Sequence, residues 1–476
     1  MKRSELNQTE GNADNTLKHG LLNREIFREY DIRGHAERDL SNKAVDLIAR
    51  AFASLVIKKG GKTVTLGMDN RKSSERIKTV FANALAESGL RVIDLGIVPI
   101  PALYYSIISL GTDGGVMVTG SHLGKEFNGF KLSAEKNAAT LSGEQIQHLR
   151  ELAESGIFPK GNGSIEKRSI LNDYLAGIIQ RTSLKRSLKV VVDCGNGTSS
   201  LLAEKLFRAL GCSVSPLYCS LDSSFPNHHP DPVKPENLRD LRQRVMEEHA
   251  DFGIAFDGDA DRLGVIDDRG SILWGDRLLS LFALDVLERL PGAKIVFEVK
   301  CSRAVEDTVR KAGGIPIMWK TGHSLIKKKM REESAVLAGE MSGHMFFADN
   351  YFGFDDALFA GARLCELVSK KGRLSELAAA LPEYYSTPEI RVNCTEEEKW
   401  KIVERAKDYF SSRHDVVTID GVRVNFENGW ALIRASNTSP KLVLRMESSS
   451  KEGLERIKNI VRKAMESFSP KTKPGF

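Results

Sequence analysis

Apolar and polar positions along this chain follow one plan written three times. Val64-Thr65-Leu66-Gly67-Met68 is an apolar run that stops at Asp69-Asn70. It gives way to a stretch of helical period ending at Ser88-Gly89-Leu90, and then to Val92-Ile93-Asp94. The plan returns in Val190-Val191-Val192 with Asp193-Cys194-Gly195-Asn196, a helical stretch to Leu210-Gly211, and Ser213-Val214. A third copy runs from Lys294-Ile295-Val296-Phe297-Glu298-Val299-Lys300 to Ala312-Gly313-Gly314, and on to Ile315-Pro316-Ile317. Each reads as apolar strand, polar turn, amphipathic helix closed by glycine, and second strand, which is the signature of a βαβ unit. Copies about 100 to 130 residues apart predict serial α/β domains of ordinary size.

After Pro382 the pattern changes to short strands and two helices, with Asp420-Gly421 and Glu427-Asn428-Gly429 as hairpin turns. This predicts a smaller α+β domain that closes over the others. The expected fold is therefore α/β, a four-domain chain. Three serial mixed α/β domains with a shared βαβ core precede the smaller C-terminal α+β domain. Joints are expected to give domains over 21–165, 166–271, 272–384 and 385–476. Residues 1–20 are polar and aperiodic and read as a disordered tail.

Composition narrows the function. At 476 residues, 41% hydrophobic and 28% charged, the chain can build several soluble cores. Its 69 basic and 63 acidic residues leave +6, too weak and dispersed for nucleic acid but compatible with an anionic small substrate. No stretch is apolar enough to span a membrane, and no signal-peptide core is present. The six cysteines are scattered without Cys-x-x-Cys spacing, so a reduced cytoplasmic protein is expected. A monomer is the expected state, with a dimer as the alternative. Lys327-Lys328-Lys329 reads as one solvated helix face.

Candidate chemistry concentrates in four loops. Asp257-Gly258-Asp259-Ala260-Asp261-Arg262 follows the apolar run Phe252 to Phe256. In an extended loop its alternate carboxylates converge, and three like charges that close call for a hard divalent cation such as Mg²⁺. Arg262 adds positive charge where a phosphate would sit. An EF-hand is excluded, because its sixth and twelfth positions would fall on Arg262 and Asp268 instead of Gly and Glu. A haloacid-dehalogenase-type reading fits Asp257 and Asp259, but Asp261 stands where that pattern wants Thr or Val. A solvated acidic turn is the bland alternative.

Thr119-Gly120-Ser121-His122 follows the strand Gly115 to Val118 and presents a candidate nucleophile, the alternative being a serine that caps the next turn. Leu123 excludes a Gly-x-Ser-x-Gly elbow, and the turn Asn128-Gly129-Phe130 delivers Lys131. Gly339-Glu340-Met341-Ser342-Gly343-His344 carries groups suited to sugar hydroxyls, or is simply a polar turn. Arg434-Ala435-Ser436-Asn437-Thr438-Ser439-Pro440 has the makings of a phosphate nest. Thr321-Gly322-His323 and Lys300 are weaker signals.

Together with Phe27-Arg28-Glu29-Tyr30-Asp31-Ile32-Arg33-Gly34, these segments resemble the α-D-phosphohexomutase family, in its phosphomannomutase/phosphoglucomutase branch. The matching pieces span nearly the whole chain in the family's order. The resemblance implies that Ser121 is a phosphoserine and that Asp257, Asp259 and Asp261, with an oxygen on Ser121, hold Mg²⁺. Arg33, His122, Lys131 and Arg262 would surround the transferring phosphoryl group, with Lys131 and His122 or His344 as candidates for proton transfer. Glu340, Met341, Ser342, Gly343 and His344 would bind the sugar, helped by Tyr30, Lys300 and His323. Arg434, Ala435, Ser436, Asn437 and Thr438 would grip the phosphate that is not transferred. The reaction implied interconverts hexose 1- and 6-phosphates of mannose or glucose. It passes through a bound 1,6-bisphosphate, with glucose or mannose 1,6-bisphosphate as primer.

The family's serine loop commonly continues Ser-His-Asn-Pro, whereas here Leu123-Gly124-Lys125 follow His122. That departure removes a hydrogen-bonding side chain and a stiffening ring, and bears on rate more than on reaction type. It also motivates a rival reading, a non-catalytic sugar-phosphate-binding homologue. Met341 favours the mannose and glucose branch over the phosphoglucosamine branch, which usually has Gln there; phosphoglucosamine mutase is the second alternative.

Overall fold

The three repeated segments fold into strand, helix and parallel strand, and the pairing around each is the same. In the computed structural model, which describes residues 22–437 and 439–469, Arg91–Ile97, Thr63–Met68 and Gly115–Val118 lie side by side in parallel, and Phe127–Ser133 adds antiparallel. Ser213–Leu217, Lys189–Asp193, Phe252–Phe256 and Leu263–Asp267 repeat that order and those directions. So do Ile315–Trp319, Lys294–Glu298, Leu337–Gly339 and Met345–Phe347. The expected tail over 1–20 lies outside the described residues.

This topology fixes where chemistry can sit. In each repeat the last parallel strand ends in a loop that returns as the antiparallel strand. The three loops are 119–126, 257–262 and 340–344. The carboxyl ends of parallel strands are where open α/β sheets expose backbone and side chains to a ligand. The serine loop, the acidic loop and the Glu340 loop thus occupy one and the same position in three copies of a fold.

Backbone packing divides the chain into two units. One runs to Ile272 and takes in Phe354–Lys370; the other holds Leu273–Gly353 and the chain from Lys371 onward. In the first unit Val64, Leu66, Val116 and Val118 are buried in a sheet covered by helices, and the Phe81 ring packs 5.0 Å from that of Phe130. Strands covered on both faces read as continuous apolar runs, which is why these did. The edge strand Ile32–His35 pairs antiparallel with Phe127–Ser133 and sets Arg33 opposite Gly129. Tyr174 Oη donates to Asp356 at 2.8 Å, tying the start of the helix Ala357–Lys371 to this unit.

In the second unit the C-terminal strands form an all-antiparallel sheet in the order Tyr385–Ser386, Lys441–Ser448, Gly429–Ala435, Val422–Phe426, Asp415–Val417, with Ile390–Asn393 also on Lys441–Ser448. One face packs Val422, Val424, Ile433 and Leu444 against Ile402 and Phe410 of one helix and Val461 and Met465 of another. The first of these helices, Glu396–Ser411, begins with a capping box formed by Thr395 and Glu398. The alternate positions face the other way. There Arg423 lies 3.7 Å over the Trp430 ring and donates to Val299 O at 2.5 Å and Cys301 O at 3.0 Å. Burial pushes the Arg423 guanidinium down to about 10.

The lysine run departs from expectation. In the helix His323–Glu333, Lys327 is buried, Lys329 lies 4.3 Å over the Trp319 ring, and only Lys328 stands out, with 67% of its side chain exposed. Three consecutive residues sweep about 200° around a helix, so they cannot share one solvated face.

Candidate active site

Ser121 sits just past the strand Gly115–Val118, nearly inaccessible and with φ at +47°, a left-handed conformation that a serine adopts only when its surroundings impose it. Its Oγ donates to Asp257 Oδ2 at 2.9 Å and lies 3.2 Å from His122 Nδ1. Asp257, Asp259 and Asp261 are wholly buried, with carboxylate oxygens within 4.8 Å of one another. They converge through a tight turn, with Ala260 left-handed at φ +63°, and not through the extended loop that alternation suggested. The turn is closed by the N–H groups of Asp261 and Arg262, which donate to Asp257 Oδ1 at 3.1 and 3.2 Å. Gly258 is needed at its tip, since a Cβ there would stand 2.5 Å from Ser121 O.

Cations surround this cluster unevenly. Lys131 Nζ donates to Asp259 Oδ2 at 2.9 Å and closely to Asp261 Oδ2. Arg33 Nε is held by Asp31 Oδ2 at 2.6 Å, and Arg262 Nη1 lies 3.9 Å from Asp231. Burial and then the charges of Asp261 and Asp259 push the Asp257 carboxyl well above the usual range. Burial works against the Lys131 ammonium, but Asp259 and Asp261 outweigh it and hold the amine above its ordinary value. Burial, followed by the positive charges of Arg262, Arg33 and Lys131, keeps His122 well below its own.

The donor set fits a metal ion. Three all-oxygen ligands converge, one ammonium in contact leaves negative charge in excess, and Asp259 Oδ1 is buried with no hydrogen-bond partner among the described residues. Hard divalent cations take oxygen ligands of this kind, and burying the excess charge without one is costly.

The second unit holds the remaining expected residues except Tyr30, which belongs to the first. Glu340 Oε1 accepts from Gly322 N at 2.6 Å, next to His323, and Ser342 Oγ lies 3.4 Å from Glu340 Oε2. The His323 and His344 rings stack at 5.8 Å and 10°. Met341 N donates to Glu298 Oε1 at 2.8 Å, and Gly343, at φ +90°, turns the loop back. Lys300 Nζ pairs with Glu389 at 3.1 Å and lies 3.6 Å from Glu298. Burial opposes its charge, but Glu298 and Glu389 outweigh it and raise the amine; the Glu389 carboxyl, beside Lys300, is pulled down to about 2.

Arg434 leaves the strand Gly429–Ala435 toward Asp420 Oδ2, at 3.2 Å from Nε and 3.1 Å from Nη2. Ala435 is buried, Asn437 is half-buried, and Ser436 Oγ lies 2.9 Å from Ser439 Oγ. Thr438 lies outside the described residues. Tyr30 is half-buried in the turn that opens the strand Ile32–His35.

Several residues in these networks escaped the sequence reading. Buried Lys399 fastens the 436–439 loop by donating to Ser436 O at 2.7 Å and Ser439 O at 3.3 Å. Glu298, Glu389, Asp420, Asp231 and His229 act across long sequence separations. Asp69 and Arg71, beneath the serine loop, had one visible signal: they follow the first repeat's apolar strand, at the place where each copy turns.

The phosphoglucomutase/phosphomannomutase family's α/β/α domains I, II and III match residues 24–160, 172–270 and 274–385, and its C-terminal domain matches 389–464. The chain belongs to this family. It is 48% identical over 460 residues to the phosphomannomutase/phosphoglucomutase of Pseudomonas aeruginosa, covering 96% of this chain and 99% of that protein. It is 43% identical over 451 residues to a phosphoglucomutase of Neisseria gonorrhoeae, covering 94% and 98%. A solved family structure from Burkholderia thailandensis superimposes with a TM-score of 0.90 at 42% identity, over 96% of this chain and all of that one. The protein is a hexose phosphate mutase, an enzyme that moves a phosphoryl group within its substrate. Family membership sets aside the dehalogenase-type phosphatase. Among the described residues no helix is long and apolar enough to cross a membrane.

Proposed function

We propose that the enzyme interconverts the 1- and 6-phosphates of mannose and glucose, using Ser121 as phosphoryl carrier and Mg²⁺ as its metal. The observation that carries this reading is the placement of Ser121 Oγ, 2.9 Å from Asp257 in a fully buried acidic triad beside Lys131. A serine bearing a phosphoryl group would sit where carboxylates, an ammonium and two guanidinium groups are already concentrated.

Asp257, Asp259 and Asp261, with an oxygen of the phosphorylated serine, would hold Mg²⁺. When bound, the ion neutralises phosphoryl charge and makes the serine oxygen a better leaving group. Lys131, Arg33 and Arg262 stabilise the charge that develops on the transferring oxygens. Lys131 is held as an ammonium, so His122 or His344 takes and returns the proton of the attacking sugar hydroxyl. Glu340, Ser342 and His344 accept and donate to sugar hydroxyls, helped by Lys300, His323 and Tyr30. Arg434 and the hydroxyls after it hold the other phosphate as a charge-assisted fork. A bisphosphate formed in the first half-reaction has to present its other end, so phosphate is gripped firmly and hydroxyls interchangeably. We also place the enzyme in the cytoplasm as a monomer acting on free hexose phosphates.

The test is turnover of the 1-phosphates of mannose, glucose and glucosamine to their 6-phosphates, with Mg²⁺ and a trace of glucose 1,6-bisphosphate. The expected result is turnover of mannose and glucose phosphates that collapses in Ser121→Ala. Preference for glucosamine 1-phosphate would move the enzyme to the neighbouring specificity. Undiminished turnover in Ser121→Ala would overturn the carrier assignment.

A further inference from the structure

Residues 121–124 belong to no helix or strand, yet each of their four carbonyl oxygens receives a donor from outside the loop. Arg71 Nη2 donates to Ser121 O and Leu123 O, each at 2.7 Å, and Arg71 Nη1 donates to Gly124 O at 2.6 Å. His229 Nε2 donates to His122 O, which fixes the tautomer of that ring.

Arg71 is itself immobilised. Its side chain is fully buried, its Nε donates to Asp69 Oδ2 at 3.0 Å, and its guanidinium lies 5.5 Å from the centre of the Phe225 ring. Asp69 also accepts from the N–H groups of Gly120 and Arg71, each at 3.0 Å, and from Ser74 Oγ at 2.5 Å. Thr119 Oγ1 stands 3.0 Å from Asp69 Oδ2 and 3.1 Å from Asp259 Oδ2, so this support reaches the acidic triad. Gly120 is glycine because the guanidinium occupies its side: a Cβ there would stand 2.5 Å from Arg71 Nε.

We propose that Arg71, assisted by His229, is the positioning residue of Ser121. The inference rests on the reading of Ser121 as phosphoryl carrier. Ser121 is held in a left-handed conformation, and Leu123-Gly124 contributes neither a stiffening ring nor a hydrogen-bonding side chain, so the loop's shape has to be imposed from below. A planar guanidinium with several donors in fixed directions can hold three carbonyls at once, which a lysine cannot. It also engages the negative ends of the backbone dipoles with a cation, so that they do not repel a phosphoryl dianion on Ser121. Arg71 touches no reacting atom in this account; it acts through the serine.

The test uses the full-length enzyme and its Arg71→Ala, Arg71→Lys, His229→Ala, His229→Gln and Ser121→Ala variants. Turnover of glucose 1-phosphate is measured with Mg²⁺ and bisphosphate primer, and thermal unfolding is followed in parallel. In Arg71→Ala, kcat is expected to fall about a hundredfold or more while KM stays within about threefold. Added guanidinium ion is expected to restore about tenfold of that loss, because a cation with the same donors can occupy the gap. Arg71→Lys should fall between the two, and His229→Gln should retain more activity than His229→Ala.

A folded Arg71→Ala enzyme with kcat within about fivefold of wild type, or with its loss carried by KM, or with no response to guanidinium, overturns the proposal. If Arg71→Ala does not fold, the kcat-against-KM split of Arg71→Lys and His229→Ala decides instead, and wild-type kcat in both overturns it. Loss in Ser121→Ala with a normal Arg71→Ala sinks this inference alone. Normal turnover in Ser121→Ala sinks the carrier reading on which it depends.

Discussion

The serine and acidic loops gather three buried carboxylates and a lysine around one hydroxyl, whereas the Glu340 and Arg434 loops present a carboxylate, an imidazole, hydroxyls and a guanidinium. In the first pair Ser121 and the three aspartates are buried, and the carboxylates are tied to Lys131, to backbone N–H groups and to Ser121 Oγ. In the second pair Glu340, His344 and Arg434 are buried, Arg434 beside Asp420, while Met341, Ser342 and Asn437 are half-buried. Moving a phosphoryl group needs atoms held within fractions of an ångström, whereas recognising either end of one sugar needs donors and acceptors that can be shared. The serine and acidic loops are therefore expected to govern rate, and the Glu340 and Arg434 loops binding.

Four expected outcomes would sharpen or break that contrast. The largest is Ser121→Ala, which should cut turnover by at least about a thousandfold with little change in thermal stability. Next is Asp259→Asn, expected to cost about a hundredfold in rate and to raise the Mg²⁺ concentration needed for half-maximal activity. A loss that leaves the metal dependence unchanged would detach Asp259 from the ion. Third, Arg434→Ala should raise KM for hexose phosphate by about ten- to a hundredfold, the worth of a charge-assisted fork of about 1.5–3 kcal/mol, with kcat nearly kept. If kcat falls instead, the division between rate and binding fails.

The smallest effect concerns acid stability. Glu389 is held down to about 2 from its ordinary 4.5, chiefly by Lys300. Its contribution is thus fully present above the unfolded value of 4.5 and is lost as pH falls toward 2. Glu389→Gln should therefore lose less stability than wild type over that window, as read from urea unfolding at a series of pH values. Identical slopes would show that the Lys300–Glu389 pair does not contribute.

What the sequence disclosed was what is local. Strand, turn and helix follow one another within about 30 residues, so the three βαβ units announced themselves by period alone, as did the C-terminal hairpins. The serine, acidic, Glu340 and Arg434 loops were legible because each packs its chemistry into four to seven consecutive residues. Their equivalence was not, since it lies in the pairing of Gly115–Val118, Phe252–Phe256 and Leu337–Gly339 with their return strands. Arg71 under Ser121, His229 on His122 O, Lys399 under Ser436 and Glu389 beside Lys300 were hidden for the same reason. Each joins positions dozens of residues apart by a contact that no spacing encodes. The Lys327 run misled because adjacency in sequence is divergence around a helix. The acidic loop was read correctly in its convergence and wrongly in its shape, because Ala260 takes a left-handed conformation.

The most direct test of the account is to follow phosphate on the protein itself. The enzyme is incubated with glucose 1,6-bisphosphate and Mg²⁺, analysed by intact and peptide mass spectrometry, and analysed again after hexose monophosphate is added. The account predicts one phosphoryl group, on the peptide carrying Ser121, that leaves when the monophosphate arrives and reappears in bisphosphate. Continued turnover with Ser121 unmodified throughout, or with the phosphoryl group on Asp257, would contradict it.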